Sequence, residues 1–404
     1  MRALTRLRVT RMTPGTRGNR GTRVARRSRP GRTGGGLSGA GRTGTERGTG
    51  RSRPAGHLVR AGGVLALALA TLGTAAPAAP APADPAAPAT ADPTTPATAA
   101  PATRAAPLPP APMAVAPYLS LGWGDAPEPA EVMAATGVRW FSLAFVLSRG
   151  TCEPRWDGRR PLSGGVDDRT VRAVRAAGGD VIPSFGGGLG HKLEQSCADA
   201  QSLAAAYQKV IDAYSLKAID IDIEMSAYRS KEAQRKTLAA LSRVKKANPG
   251  LVTYITLPSY RSGPDRSLID RAAEMGVEPD AWSIMPFSFV PSAKGEDMGR
   301  ISTRAVDGLK DRLMNAYGYS ETEAYAHSGI SSMNGITGEG ETITVEDFRT
   351  IAAHARKHGL SRLTFWSVNR DRPCGARPYP AEDSCSGVAQ KPWQYTKTLA
   401  QHGR

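Results

Sequence analysis

Short apolar runs alternate with longer segments of helical periodicity from about residue 113 to the end of the chain. The short runs are rich in β-branched and aromatic residues, which is typical of strands. The predicted strands are Val115–Gly122, Trp140–Val146, Val181–Phe185, Ala218–Ile223, Leu251–Leu257, Trp282–Met285, Tyr325–Gly329 and Leu363–Ser367. The longer segments repeat apolar residues three or four positions apart, which predicts helices. The predicted helices are Glu128–Ala135, Asp167–Ala177, Asp199–Tyr214, Lys231–Asn248, Arg266–Met275, Ser302–Tyr317, Thr344–His358 and Pro392–Gln401.

The alternation of strands and helices predicts an α/β fold with a parallel sheet, because parallel strands need helical crossovers. Eight such units in one chain are the number that closes a barrel. We therefore predict a (β/α)8 TIM barrel over residues 113–404. An open, doubly wound sheet is the alternative that the alternation alone also allows.

The predicted strand Ala218–Ile223 and the residue after it carry an unusual alternation of Ile and acid. Asp220, Asp222 and Glu224 are two residues apart, so they share one face of the strand. A solvated antiparallel edge strand could show the same pattern, but both faces of a parallel barrel strand are covered. Three acids buried together cannot all ionise, so the pKa of at least one rises, as a general acid near neutral pH requires.

The N-terminal arm, residues 1–60, accounts for almost all of the positive charge. It holds sixteen Arg and one acid, Glu46, and so contributes +15 of the formal net charge of +17. Because the arm lacks the apolar pattern of a packed core, we expect it to be disordered. The remaining chain is nearly neutral and shows no basic face, so we expect no nucleic-acid binding.

A secretory signal is predicted at residues 61–83. About sixteen apolar or small residues follow Arg60, and an Ala-x-Ala cleavage pattern lies near Ala81. An uncleaved membrane anchor is the alternative, but the segment is short and rich in Gly and Ala. Residues 84–112, mostly Ala, Pro and Thr, predict an extended linker. We expect a secreted monomer with no stable membrane association once the signal is cleaved.

Four cysteines follow the predicted signal, and an even number in an exported chain favours two disulfides. Cys374 and Cys385 enclose a short loop rich in Pro, Gly and Asp, which favours that pair and leaves Cys152 to pair with Cys197. Free buried thiols are the alternative. The spacings contain no CxxC, and the helical pair His354 and His358 has no Glu between its members, so we expect no metal or other cofactor.

Four landmarks resemble glycoside hydrolase family 18. The acids of residues 217–224 are similar to the family signature DxxDxDxE, and the motif SxGG is present as Ser184-Phe185-Gly186-Gly187. Met285 ends the predicted sixth strand, and the Phe365–Asp371 segment follows the eighth in the manner of bacterial members. The landmarks occur in the family's order over residues 115–371.

The resemblance implies a retaining mechanism in which the substrate takes part. Glu224 would be the general acid, and the 2-acetamido oxygen of the sugar would attack in place of a second carboxylate. Asp222 would hold the acetamido N–H and share a proton with Asp220. The implied substrate is chitin or another β-1,4-linked N-acetylglucosamine oligomer. Alternatives are an endo-β-N-acetylglucosaminidase acting on N-glycans and a non-catalytic sugar-binding barrel.

The resemblance also implies a substrate-binding set. Trp366 would form the floor under the reacting sugar, although a core Trp is the alternative from sequence alone. The remaining members of the implied set are Met285, Phe287, Ser184, Gly186 and Gly187. The glycines would allow a close backbone turn beside the acids, although an ordinary strand-to-helix turn explains either glycine equally well.

The chain departs from the family pattern at three places. Lys217 and Ala218 replace the residues that open the signature, and Ile223 stands where an aromatic residue is common. The segment after Met285, residues 286–289, lacks the Tyr and Asp that many members place there. If the missing group is buried, the lost hydrogen bond costs about 1–3 kcal/mol.

Overall fold

The computed structural model describes residues 114–375 and 384–402. The predicted basic arm (1–60), secretory signal (61–83) and linker (84–112) lie outside these ranges. Within the part that is described, no helix combines the length and the apolar character that crossing a membrane requires.

Eight parallel strands form the central sheet, and each pairs with the next in chain order. They are β1 (Tyr118–Ser120), β2 (Trp140–Leu147), β3 (Asp180–Gly186), β4 (Ala218–Asp222), β5 (Val252–Pro258), β6 (Ala281–Met285), β7 (Ser328–Met333) and β8 (Arg362–Trp366). A parallel bridge from Val115 to Leu363 and a 2.7 Å hydrogen bond from Thr364 Oγ1 to the carbonyl of Ala116 bring β8 back to the start of the sheet. The predicted TIM barrel is confirmed, and the open doubly wound sheet is excluded.

Eight main helices follow the strands. They are α1 (Pro129–Thr136), α2 (Val166–Ala176), α3 (Ala200–Tyr214), α4 (Lys231–Ala247), α5 (Ser267–Glu274), α6 (Met298–Tyr317), α7 (Val345–His358) and α8 (Gln394–Ala400). Capping boxes begin α3, at Asp199 and Ser202, and α7, at Thr344 and Asp347. Because these boxes satisfy backbone N–H groups at the first turn, they explain why the helices begin where the sequence predicts.

Most of the shorter elements lie beyond the carboxyl ends of the barrel strands, whereas the helix Glu321–Ala326 lies at the amino end of β7. The shorter elements are the helices Leu193–Ser196, Met225–Arg229 and Glu321–Ala326, the 3-10 turn Val368–Arg370, the two-residue strand Arg155–Trp156, and the strands Gly335–Ile336 and Thr342–Ile343, which pair as a hairpin. The sequence pattern predicts none of these as separate elements, because each is too short to show a hydrophobic period.

The two faces of β4 meet different surroundings. Ile219, Ile221 and Ile223 lie in the large apolar core between the barrel wall and the helices. Burying one such side chain stabilises the fold by about 1.5–3 kcal/mol. Ala218 lies instead in a small inner cluster that includes Tyr254. Since residues two apart share a face, the acids that follow Ala218 point into the barrel interior.

The seventh strand is misplaced in the sequence prediction. Tyr325 lies in the helix Glu321–Ala326, and β7 begins at Ser328 and continues to Met333. A capping box between Ser320 and Glu323 starts the helix there. Strand β7 is rich in Ser and Gly, so it lacks the β-branched residues that mark a strand in sequence.

Both predicted disulfides are present. Cys152–Cys197 joins the segment after β2 to the segment after β3 across 45 residues, and Cys374–Cys385 closes a loop after β8. Both bridges lie beyond the carboxyl ends of their strands, which is the end where TIM barrels carry their sites.

Candidate active site

The three acids of β4 form a row from the barrel interior to its mouth. Asp220 is fully buried, Asp222 is almost fully buried, and Glu224 is partly exposed. Glu224 is the residue that precedes the short helix Met225–Arg229. The row therefore ends in one carboxyl group that can be reached from the solvent, backed by two that cannot.

Asp220 is held by three hydroxyl groups. Oδ2 accepts hydrogen bonds from Tyr118 Oη at 2.7 Å and Ser184 Oγ at 2.6 Å, and Oδ1 accepts from Thr256 Oγ1 at 2.8 Å. Three donors satisfy most of the acceptor capacity of a carboxylate and fix its orientation. Tyr118 and Thr256 are functional candidates that the sequence reasoning missed. Burial raises the pKa of the Tyr118 hydroxyl well above its ordinary value, so it remains a donor.

Asp222 is the member of the row that carries an unpartnered buried oxygen. Its Oδ1 is buried and has no hydrogen-bond partner within the described residues. Burial raises the pKa of Asp222 well above its ordinary value, and the nearby charges of Glu224 and Asp220 act in the same direction. An unpartnered buried oxygen costs free energy, so this atom is suited to accept a bond from a bound molecule.

Glu224 lies where two cavities meet. A cavity of about 380 Å³ opens on one side and one of about 670 Å³ on the other, and Glu224, Met285 and Phe287 line both. Burial raises the pKa of Glu224, and the positive charge of Lys192 opposes this shift. A carboxyl group that keeps its proton to higher pH, at the centre of a cleft, is placed to act as a general acid.

The smaller cavity has an aromatic wall. Trp366 is partly exposed there and stacks on Phe145, with ring centroids 5.6 Å apart and planes 9° from parallel. Tyr118 packs against both rings, and Trp123, which is 45% exposed, lies at the rim. Trp366 is therefore a cavity residue and not a core Trp. A flat indole face of this kind suits the apolar face of a sugar ring.

The larger cavity has an apolar rim that the sequence reasoning did not identify. Tyr260, 67% exposed, follows β5, and Met225 and Val290 are also exposed there. Trp156 is buried in the core, and Phe289, which is only 4% exposed, is among the residues that line the larger cavity.

The SxGG residues pack behind the acids and do not line either cavity. Gly187 donates its backbone N–H to the carbonyl of Asp222 at 2.9 Å. Gly186 has φ of +107°, and a Cβ atom there would lie 2.1 Å from the same carbonyl oxygen. Ser184 Oγ donates a hydrogen bond to the carboxylate of Asp220. These three residues shape the acid row, and none of them is in the lining of the two cavities.

We predict that Gly186→Ala destabilises the protein by about 2–4 kcal/mol, because the new methyl group meets backbone that cannot move freely and the φ value is strained for Ala. Chemical denaturation would measure the effect. Gly178→Ala is the matched control: its φ is +78°, but no atom lies within 4 Å of the added carbon. Equal losses in the two variants would show that the contact with Asp222 is unimportant.

The loop after β6 is organised by a buried acid instead of the absent Tyr and Asp. Glu341 accepts backbone N–H bonds from Ser288 at 2.7 Å and Phe289 at 2.8 Å. Thr337 Oγ1 donates to the same carboxylate at 3.0 Å. The loop thus contributes the ring of Phe287 to the cleft, while its polar backbone groups are used by Glu341.

The histidines that the sequence reasoning set aside lie in the helical layer or the core. His354 Nε2 is 3.0 Å from Asp307, and the ring of His358 lies 4.3 Å from that of Tyr325. Across residues 114–375 and 384–402, no group of three or more His, Cys, Asp or Glu side chains is arranged to hold a metal ion.

No protein-family model matches the chain. Two curated proteins are similar to it. The "Probable bifunctional chitinase/lysozyme" of Escherichia coli (strain K12) is 27% identical over 283 residues, which are 66% of this chain and 32% of that protein. "Endochitinase 11" of Metarhizium anisopliae is 26% identical over 277 residues, which are 64% of this chain and 52% of that protein. The chain thus matches about a third to a half of the length of these relatives.

Solved structures extend the likeness to a whole catalytic domain. The catalytic domain of the hyperthermophilic chitinase of Pyrococcus furiosus is 27% identical, with a TM-score of 0.64 over 73% of this chain and 96% of that one. A family GH18 chitinase from Chromobacterium violaceum shares the fold at 14% identity and a TM-score of 0.51, over 74% of this chain and 85% of that one. The chain is similar to chitinases in sequence and in fold.

Two of the departures from the family 18 pattern lie far from the cleft. Ala218 faces the inner cluster at the opposite end of β4, where it pairs with Val252. Lys217 lies one residue earlier, with its Nζ 3.0 Å from Asp180. Since the acids are two to seven residues further along the chain, these changes lie toward the other end of β4 and leave the acid row intact.

Proposed function

We propose that the protein is a glycoside hydrolase that cleaves β-1,4-linked N-acetylglucosamine, with the substrate's acetamido group as the nucleophile. The observation that carries the proposal is the geometry of the acid row. Glu224 has a raised pKa at the centre of a cleft, and the unpartnered Oδ1 of Asp222 lies directly behind it. The likeness to the chitinases described above supports the same assignment.

In the first step, Glu224 gives its proton to the glycosidic oxygen as the bond from that oxygen to the anomeric carbon breaks. The acetamido oxygen of the same sugar forms a new bond to the anomeric carbon and yields an oxazolinium ion. The part of the sugar oligomer that receives the proton then leaves through the cavity on its side of Glu224. The protein therefore needs no nucleophile of its own, and all three acids of the row can come from the same strand.

Asp222 serves the acetamido group during this step. Its free Oδ1 accepts the acetamido N–H, which aligns the oxygen for attack and stabilises the positive charge that develops on the ring. Asp220, fixed by its three hydroxyl donors, stands behind Asp222 and shares its proton. In the second step Glu224, now ionised, takes a proton from a water molecule that attacks the anomeric carbon. The bond from that carbon to the acetamido oxygen breaks, the acetamido group is restored, and the configuration is retained.

The aromatic wall positions the reacting sugar. Trp366, backed by Phe145, offers an indole face to the apolar C–H face of a pyranose. Met285 and Phe287 contact both cavities and so lie beside the bond that breaks. Because cavity space continues on both sides of Glu224, the cleft suits an oligomer with sugars on either side of the cut.

The test is a product profile on N-acetylglucosamine oligomers of graded length. We expect release of shorter oligomers whose new reducing ends first appear as the β-anomer, seen by proton NMR before mutarotation. Cleavage of a high-mannose N-glycan instead of these oligomers would redirect the assignment to an endo-β-N-acetylglucosaminidase. Binding of chitin without any cleavage would replace the hydrolase with a sugar-binding barrel.

Export is part of the proposal. The two disulfides suit an oxidising compartment, where such bonds persist. The signal that would direct export lies among residues outside the described ranges, and cleavage after residue 83, a monomeric state, and the absence of nucleic-acid and stable membrane binding stay predictions.

A further inference from the structure

A buried lysine lies beside the acid row. Lys192, in the segment after β3, is only 3% exposed, and its Nζ donates to the carbonyl oxygens of Gly186, at 3.3 Å, and Leu189. Within the described residues it forms no ion pair shorter than 4.0 Å. A buried ammonium group is costly unless opposite charges compensate it. Burial lowers the pKa of Lys192, and nearby negative charge opposes that shift.

Three carboxyl groups supply that charge. Asp222, Glu194 and Glu224 all act on Lys192 electrostatically, with Asp222 having the largest effect. Glu194 is buried as well, and the charge of Lys236 also acts on it. Asp222 and Glu224 are members of the acid row, so the compensation of Lys192 and the ionisation of the row depend on each other.

The segment that Lys192 holds packs directly on the same two acids. Gly186 pairs with Asp222 between β3 and β4, and Gly187 donates to the carbonyl of Asp222. A carbon atom added to Gly188 would lie 3.6 Å from Glu224 Oε1. The two carbonyl groups that Lys192 binds, those of Gly186 and Leu189, are at the start and near the end of this stretch.

We propose that Lys192 is a positioning residue of this site: its ammonium group fixes the Gly186–Gly190 segment against the acids and supplies the positive charge that Asp222 and Glu224 face. The proposal rests on the proposed function, since it assigns Lys192 a role in tuning that reaction. It adds a cation to a site that the family signature describes through carboxylates alone.

Removing this charge shifts the pH dependence in a definite direction. A positive charge stabilises ionised carboxylates, so its loss raises the pKa of both Asp222 and Glu224. Glu224 then keeps its proton to higher pH, so the alkaline limb of the kcat/KM profile moves to higher pH. The acidic limb, where Asp222 loses its proton, moves to higher pH with it. We expect shifts of about 1 pH unit.

Three substitutions separate the charge from the hydrogen bonds. Lys192→Arg keeps both and should leave the profile near that of the wild type. Lys192→Gln can still donate to a carbonyl group but carries no charge, so the profile should shift with little change in KM. Lys192→Met loses both, so the shift should come with a KM raised about 3–10-fold. Lys209→Met is the control, because Lys209 is an exposed lysine paired with Glu153.

The carboxyl carbon of Glu224 provides a readout without turnover. In the full chain labelled with ¹³C-glutamate, its signal is assigned by its loss in Glu224→Gln, and its titration should move up in Lys192→Gln. Superposable profiles and titrations in wild type and Lys192→Gln would overturn the proposal for Lys192. A wild type that cleaves no oligomer would overturn the hydrolase assignment, while the ¹³C titration would still decide the role of Lys192. If Lys192→Met does not fold, the Lys192→Gln and Lys192→Arg variants still decide the role of Lys192.

Discussion

The Glu224→Gln variant is expected to lose about 10²–10⁴-fold in kcat on N-acetylglucosamine oligomers, with KM and thermal stability close to those of the wild type. Gln has the shape of Glu but cannot give a proton to the glycosidic oxygen or take one from water. Glu224 is partly exposed and precedes a short helix without a side-chain cap bond, so the substitution removes no hydrogen bond that holds this helix. Steady-state kinetics and a thermal melt would check both parts.

Glu346→Gln is the matched control for Glu224. Glu346 lies in the first turn of α7, exposed and paired with Arg349, and removing its charge should change kcat by less than about twofold. If Glu224→Gln turned over oligomers as fast as this control, the acid at the centre of the cleft would have no chemical role, and the hydrolase assignment would have to be withdrawn.

The Asp222→Asn variant is expected to lose about 10²–10³-fold in kcat and to become more stable at neutral pH. Asn keeps the size of the side chain but cannot exchange a proton with Asp220 or carry the charge that stabilises the developing cation. It also removes a buried carboxyl group whose pKa is raised by burial and by the charges of Glu224 and Asp220. Kinetics combined with chemical denaturation at several pH values would measure both effects.

The pH dependence of the stability gain has a fixed sign. The folded pKa of Asp222 lies above its value in the unfolded chain, about 3.9, so the folded state binds this proton more tightly. The wild type therefore loses stability as pH rises from about 4 through the raised pKa, and the Asn variant does not. The difference should be absent below pH 4 and grow above it. Asp168→Asn should show the opposite sign, because a backbone N–H of Gly164 and the side chain of Arg172 lower the pKa of the partly exposed Asp168. A stability difference for Asp222→Asn that does not change with pH would contradict this account.

The sequence predicts the fold well where a pattern is local. The alternation of Ile and acid from Ala218 to Glu224 reports which side chains share a face, and β4 places its acids in the barrel interior. The helices α3 and α7 begin at capping boxes that are visible in sequence. The prediction of β7 fails because its Ser and Gly residues carry no strand signal. Pairing with β6 and β8 makes this segment a strand in the fold.

The candidate site is predicted less completely, because its partners come from distant parts of the chain. Tyr118 binds Asp220 from 102 residues away, and Thr256 does so from the neighbouring strand. Periodicity states that such residues face inward but not which acid they meet. The burial of Lys192 is still harder to predict, since a lysine in a loop is normally exposed. Only the packing of the segment around Lys192 explains its burial.

The segment after Met285 shows why a missing motif need not mean a missing structure. The sequence indicates only that a polar pair is absent from residues 286–289. In the fold, Glu341 comes from the hairpin that follows β7, more than fifty residues later, and binds the backbone of this segment. The segment therefore keeps a defined shape and directs Phe287 into the cleft.

The Cys152–Cys197 bridge joins two segments that flank the candidate active site. Its two ends belong to the segments that carry Phe145, behind the indole of Trp366, and Lys192, beside the acids. Closing a loop of 45 residues is worth about 4 kcal/mol by the chain-entropy estimate. A molecule still in a reducing cytosol would lack this tie, so the catalytic cleft would reach its full rigidity only after oxidation.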